Sequence, residues 1–410
     1  MLRRRALIAC GSLLLIAAAP QVVVDGEPAG VTQDELGLVS FDCRPEALAP
    51  ELARICGVAR RLEGQRLFDE ETFGGNGRTC ATCHSRETGT FSASDAQARL
   101  TANPNDPLFR HDGFDDGANG LSRITQYATV RIELPLPAYV TLKDDPARRS
   151  IVVQRGTPAT LNTPALETVF MHDLRNATLE EQALGAIEGH AKNTIPPTPL
   201  QLQLIAEFER RSPRFFSSPA MRRFAEGGPA PALPPGETQS QKRGRLFFVE
   251  APFTRGAKNG ICALCHSGPM LNQGSQMLSN VVAGAPPGIR DATVFVSERN
   301  KMGNPVYKFL IDDGVGHQVE MSSPDPGEIL SPSRLPPPGV FPRTTFFNFF
   351  KIGTLWGIPK TSPYFHDGSA KTLEDVVEQY EFFFKDNPFG LITTLTEEDK
   401  KDIVEYLKLL

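Results

Sequence analysis

Apolar positions along most of the chain recur at helical spacing, as around Glu207-Phe208 and through Ile403-Val404-Glu405-Tyr406-Leu407. The pattern predicts a mostly α protein. Two segments carry helix-start signals, Thr178-Leu179-Glu180-Glu181 and Thr372-Leu373-Glu374-Asp375. In each, the threonine hydroxyl can satisfy an early backbone N–H, and the acids complement the helix dipole. One stretch reads differently. Val306-Tyr307-Lys308-Phe309-Leu310, then Asp313-Gly314, then Val319-Glu320-Met321 predicts a β-hairpin.

The N-terminus adds a location. Arg3, Arg4 and Arg5 precede an apolar stretch from Ala6 to Ala19, interrupted by Cys10, Gly11 and Ser12. That layout predicts a signal peptide over 1–20 and a periplasmic mature protein, since the stretch is too short to span a bilayer. Leu7-Ile8-Ala9-Cys10 has the look of a lipoprotein box but lies ahead of the main apolar run. Composition excludes other classes. Gly and Pro each number 35 of 410 residues, together about 17%, short of a low-complexity chain. Mean hydropathy is −0.24, and no apolar run reaches the roughly 20 residues of a membrane span. A formal charge of −5 argues against a nucleic-acid partner, which would ask for a basic face.

Cysteine spacing supplies the chemistry. Cys80-Ala81-Thr82-Cys83-His84 and Cys262-Ala263-Leu264-Cys265-His266 are two copies of C-x-x-C-H. The spacing is what covalent haem attachment requires: two thioethers to the porphyrin edge, and an adjoining imidazole beneath the iron. A four-cysteine zinc site would leave both histidines without a role, and a thioredoxin-like pair would need a βαβ context and only one copy. The expectation is two covalently bound c-type haems, with His84 and His266 as proximal iron ligands. Cys43 and Cys56 remain as a pair, and in an oxidising compartment the expectation is a disulfide.

The motifs belong to an internal repeat. Arg66-Leu67-Phe68 precedes the first and Arg245-Leu246-Phe247 the second. Downstream come Phe170-Met171-His172-Asp173 and Tyr364-Phe365-His366-Asp367, each followed by its capped helix with Thr six residues after His. This predicts two tandem cytochrome c-like haem domains, 21–226 and 237–410, joined by a Pro/Gly linker over 227–236. The second carries the hairpin in an insertion over 284–343.

The two motifs, Leu179-Glu180-Glu181-Gln182-Ala183-Leu184-Gly185 and Pro363-Tyr364-Phe365-His366-Asp367-Gly368 resemble the bacterial dihaem cytochrome c peroxidase and MauG superfamily over nearly the whole mature chain. The resemblance implies that the first haem meets hydrogen peroxide and the second relays electrons to it. It also implies a small periplasmic electron donor such as a monohaem cytochrome c or a cupredoxin, calcium at the domain interface, and a homodimer. Four positions depart from the family pattern: His172 stands for a tryptophan between the haems, Lys192 for a glutamate, Trp356 for an arginine and Gly156 for a calcium-associated asparagine.

The resemblance and the repeat together nominate further site residues. Tyr380, eight residues into the second capped helix, stands where the family carries the second haem's distal ligand, methionine in the peroxidases and tyrosine in MauG. Met270 and Met277 remain alternatives. The matching offset in the first half is Ala186, which cannot bind iron, so the first haem is expected to be open. Gln182 and His190 flank Ala186 at four-residue steps and are the expected catalytic pair, with His190 moving a peroxide proton. His111 lies in a loop from which it could swing onto the first haem. His172 and His366 are expected near propionates, and His317 in solvent. Two functional classes follow: a peroxide-dependent oxidoreductase, or a non-enzymatic dihaem electron carrier.

Overall fold

The computed structural model describes residues 49–114, 120–252, 254, 256–278, 288–337, 341–385, 391 and 393–410, with the backbone of 31–33 and 39–41. The expected signal peptide over 1–20 and Cys43 of the expected Cys43–Cys56 bridge lie outside the described residues, as does the start of the insertion. Two units are distinguished, Met1–Arg60 and Arg61–Leu410. In the first, Val31–Gln33 pairs antiparallel with Val39–Phe41.

Arg66-Leu67-Phe68 ends the helix α1 (Pro50–Asp69). The first half continues through the strands β1 (Thr129–Pro135), β2 (Val140–Leu142) and β3 (Ser150–Gly156) to the helices α2 (Leu179–Ala186) and α3 (Pro199–Arg211). The second half opens with α4 (Gln239–Arg245), passes through the hairpin β4 (Tyr307–Asp312) and β5 (Gln318–Ser323), and closes with α5 (Leu373–Lys385) and α6 (Glu397–Leu407). In both halves the opening helix crosses the closing one at a glycine. A Cβ on Gly64 would stand 2.3 Å from the Leu204 carbonyl oxygen, and one on Gly244 would stand 2.0 Å from that of Asp402. Any larger residue would push the helices apart.

Both expected helix starts form. Thr178 Oγ1 accepts from Glu181 N at 3.1 Å while Glu181 Oε2 accepts from Thr178 N at 3.3 Å. Thr372 and Asp375 repeat the exchange at 3.1 and 3.0 Å. Such a box contributes about 1 kcal/mol by satisfying N–H groups that the helix leaves orphaned.

Helix dominates, but the fold is mixed, 40% helical and 12% strand. Strands β1 and β3 pair antiparallel from Thr129↔Gly156 to Pro135↔Ser150, a sheet that the helical reading overlooked. The hairpin forms where its alternation and Asp-Gly turn placed it, and β4 then pairs with β2 of the first half, Val140↔Ile311 and Leu142↔Phe309. The insertion is therefore not an appendage of the second half. Leu134, Val140, Ile151 and Val153 pack with Phe309, Ile311 and Ile329 into a shared apolar core. Arg61–Leu410 accordingly forms one unit, and the Pro/Gly run lies against the second half, where Tyr406 donates to the Pro234 carbonyl at 3.0 Å.

At the end of β3 the halves meet around one residue. Gly156 donates its N–H to the His366 carbonyl at 2.8 Å and accepts from His172 Nε2 at 3.0 Å. Beside it the buried Arg155 guanidinium holds Asp325 through Nε at 2.7 Å and Nη2 at 2.8 Å, and Asp173 through Nη1 at 2.6 Å.

Candidate functional site

Each C-x-x-C-H run winds into a single turn. His84 N donates to the Cys80 carbonyl at 3.1 Å, and His266 N to the Cys262 carbonyl at 2.9 Å. The rings are then fixed alike. His84 Nδ1 donates to the Gly89 carbonyl at 2.8 Å and His266 Nδ1 to that of Leu271 at 2.9 Å, five residues on in both cases. A backbone acceptor on Nδ1 leaves the Nε2 lone pair free, the arrangement second-shell partners impose on metal-bound histidines. Burial holds His84 down to about 4 and also lowers His266, so both rings are neutral and able to ligate. The four cysteines are free thiols, and burial pushes Cys80, Cys262 and Cys265 up to about 12.

The second motif opens into a cavity of about 360 Å³ lined by Cys262, Cys265, His266, Leu278, Phe384 and Leu407 among others. Across it the Tyr380 hydroxyl faces His266 Nε2 at 3.2 Å. Burial, then the neighbouring Cys265 and Cys262, pushes the phenol well above its usual range. Met270 is buried and its carbonyl accepts from Thr354 Oγ1 at 2.7 Å, while Met277 packs at the edge of the same core. Of the three nominated distal groups, the Tyr380 hydroxyl is the one at hydrogen-bond distance from His266 Nε2. Cys262, Cys265 and His266 are the side chains on this cavity that would hold a c-type haem, and Tyr380 is the polar group facing His266 there.

Around the first motif the geometry departs from an uninterrupted α-helix. Helix α2 passes at Ala186 into a π-turn, Ile187–Ala191. The wider turn breaks the four-residue row that would align Gln182, Ala186 and His190, and such turns mark functional positions. Gln182 stays half-buried on α2. His190 instead meets Asp112: its Nδ1 bonds Asp112 Oδ2, while Asp112 Oδ1 pairs with Arg78. Both partners are buried, Arg78 2% and Asp112 3% exposed. Burial and the Arg78, Arg175 and Lys192 charges bring His190 down to about 3. His111, next to Asp112, is about half exposed, its Nδ1 4.0 Å from Asp112 Oδ1. Sequence reading missed Asp112 and Arg78. Their only signal was an Asp beside the nominated loop histidine and an Arg two residues before the motif.

The remaining histidines take structural partners. His172 bonds Gly156, and burial with the Arg155 charge brings it down to about 3. His366 stacks on Phe350 at 3.7 Å and contacts Ser297 Oγ at 3.3 Å. Both line the cavity of the second motif. His317 is exposed in the hairpin turn, bonded to Asp313 at 2.9 Å. Trp356 donates Nε1–H to the Pro269 carbonyl at 2.8 Å, and Lys192 ends the π-turn with a φ of 53°. At the expected calcium position Gly156 uses both peptide groups internally, and the described residues contain no cluster of three or more His, Cys, Asp or Glu side chains that could hold a metal ion. No helix among them is long and apolar enough to cross a membrane.

No family model matches the chain, and no curated protein does. Among solved structures it is similar to a MauG-like protein associated with microbial copper homeostasis, with a TM-score of 0.46 and 18% identity over 85% of this chain and 87% of that one. It is also similar to the diheme peroxidase BthA from Burkholderia thailandensis, with a TM-score of 0.43 and 15% identity over 90% of this chain and 89% of that one. It is similar as well to hydrazine synthase from Kuenenia stuttgartiensis, with a TM-score of 0.36 and 16% identity over 78% of this chain and 93% of that one.

Proposed function

We propose that the protein is a periplasmic dihaem c-type oxidoreductase. It reduces hydrogen peroxide, or uses it to oxidise a partner, at a haem held by Cys80, Cys83 and His84. Electrons arrive from a small donor, such as a monohaem cytochrome c or a cupredoxin, through a second haem held by Cys262, Cys265 and His266. One asymmetry carries the reading. The Tyr380 hydroxyl stands 3.2 Å from His266 Nε2, whereas the same offset in the first half holds Ala186, a side chain with no donor atom. Tyr380 would close one haem, and Ala186 would leave the other accessible.

The haem irons supply the electron-transfer chemistry; the protein's part is to orient and to move protons. His84 and His266 are held in the Nδ1–H form by backbone carbonyls, so each would hold a haem iron through Nε2. One peroxide takes two electrons and two protons to give two waters, and a neutral His190 beside the first motif is suited to pass a proton between the peroxide oxygens. A second reading, an electron carrier, is favoured by the same His190, because a carboxylate-oriented imidazole is also a good iron ligand. Spin state and carbon monoxide binding decide. The oxidoreductase reading expects carbon monoxide on one of the two reduced haems and fast oxidation by peroxide. Two low-spin haems that exclude both ligands in every redox state would overturn it.

A further inference from the structure

We propose that Asp112, clamped by Arg78, is a positioning residue that holds His190 in the Nδ1–H tautomer and so makes Nε2 the base for an incoming hydrogen peroxide. This rests on the reading of the first haem as the open one.

The geometry singles out Asp112 because its two oxygens are divided between two partners. Oδ1 pairs with Arg78 Nη1, and Oδ2 with His190 Nδ1. Arg78 cannot turn away: its Nε donates to the Pro107 carbonyl at 2.9 Å and its Nη2 to the Leu108 carbonyl at 2.6 Å. A guanidinium has donors only and stays charged, so the atom it faces must be an acceptor. A carboxylate then presents a second acceptor to His190, and the imidazole places its proton on Nδ1. The assembly is tied to the motif. Asn76 donates to the Ala191 carbonyl through N at 2.8 Å and to the His190 carbonyl through Nδ2 at 2.9 Å, and its Oδ1 accepts from Arg78 N at 3.1 Å. By the repeat His190 is the counterpart of Phe384, twelve residues after the capping threonine in both halves, and Phe384 lines the distal cavity of the second motif beside Tyr380.

In the step assigned to it, Nε2 takes a proton from one peroxide oxygen and returns it to the other as the O–O bond breaks. The two electrons come from the donor through the second haem, and solvent supplies the two protons retained in the two waters. Asp112 does not touch peroxide; it keeps the lone pair on the correct nitrogen.

Asp112→Asn is therefore no neutral replacement. Arg78 can only donate, so it pins the asparagine oxygen and leaves the NH₂ pointing at His190 Nδ1. The ring must then accept there and carry its proton on Nε2, where it can no longer act as a base; tautomer reversal of this kind accounts for the loss in triad enzymes.

The test is the rate at which cyanide binds the first haem in the ferric dihaem protein, because hydrogen cyanide must shed a proton to bind and no redox step is involved. Asp112→Asn should slow binding by about 10²-fold or more, the range for loss of a general base. His190→Phe should slow it equally, and the double variant should be no slower than either. An Asp112→Asn rate equal to that of the starting protein would overturn the proposal, as would an equal further loss in the His190→Phe background. A ferric first haem already low-spin through His190 before cyanide is added would overturn the open-site reading, and the proposal with it. If Asp112→Asn loses its haem, proton NMR of the unmutated cyanide complex decides: a slowly exchanging, hyperfine-shifted His190 Nδ1–H resonance is expected, and its absence overturns the assignment.

Discussion

Replacing Arg155 with methionine should destabilise the protein by about 3–5 kcal/mol, the range for breaking a buried ion pair and stranding its partner. The guanidinium is 0% exposed and makes three charge-assisted bonds at 2.6–2.8 Å. The two carboxylates it leaves behind are not equally affected. Asp173 keeps Arg175, whose Nη1 lies 2.9 Å away. Asp325 keeps the Gly327 N–H at 3.1 Å and a His366 ring nitrogen at 3.9 Å, neither a full charge in a neutral imidazole's company. Most of the loss therefore comes from Asp325 buried as a bare anion. Adding Asp325→Asn should recover a large part of it, because the penalty lies in the stranded charge. The pH dependence follows the same logic. Burial alone would raise the Asp173 and Asp325 carboxyls, but the Arg155 charge holds both below their usual range. Their contribution is thus complete above about pH 4 and fades as the pH falls through the lowered folded values. In the variant a stranded Asp325 takes up a proton more readily, so the difference from the parent should shrink on acidification. Urea unfolding of the holoprotein at pH 7 and at lower pH measures this. A single-variant loss below about 1 kcal/mol, or a double variant that loses the sum of both, would refute the reasoning.

Other outcomes are open to direct measurement. Tyr380→Phe should change the electronic and paramagnetic resonance spectra of the second haem and leave the first as it was, since its hydroxyl faces His266 Nε2; unaltered spectra would remove Tyr380 as a ligand. Cys80→Ala with Cys83→Ala should lower the pyridine haemochrome count from two haems to one, and so should the pair Cys262→Ala and Cys265→Ala. Glu209 is buried with Oε2 unpartnered, and burial pushes it up to about 8. A carboxyl raised on folding weakens the native state as pH climbs from its unfolded value towards the folded one, by at most about 1.4 kcal/mol per unit. Glu209→Gln should therefore flatten the decline in stability between pH 5 and 8, and parallel stability profiles would refute this.

Much of the candidate site was legible because its rules act over a few residues. C-x-x-C-H is itself one turn of chain, and the acceptors of His84 and His266 lie five residues on. The Thr178 and Thr372 caps are closed by acids three residues later, and the 306–321 hairpin needed only alternation and an Asp-Gly turn. Comparison of the halves then extended the reading from local motif to Tyr380 and Ala186.

What the tertiary structure decided lies at long range. Strand β2 meets β4 across some 170 residues, so the insertion builds a core with the first half instead of hanging from the second. Arg155 reaches Asp325 over 170 residues, and His190 reaches Asp112 over 78. The π-turn at 187–191 likewise leaves no mark in the spacing of side chains. Hydrophobic periodicity and capping record which face of an element is buried and where it starts. They do not record which distant group completes a buried charge or a sheet edge, because that choice is made only when the whole chain has closed and every buried polar group must find its partner.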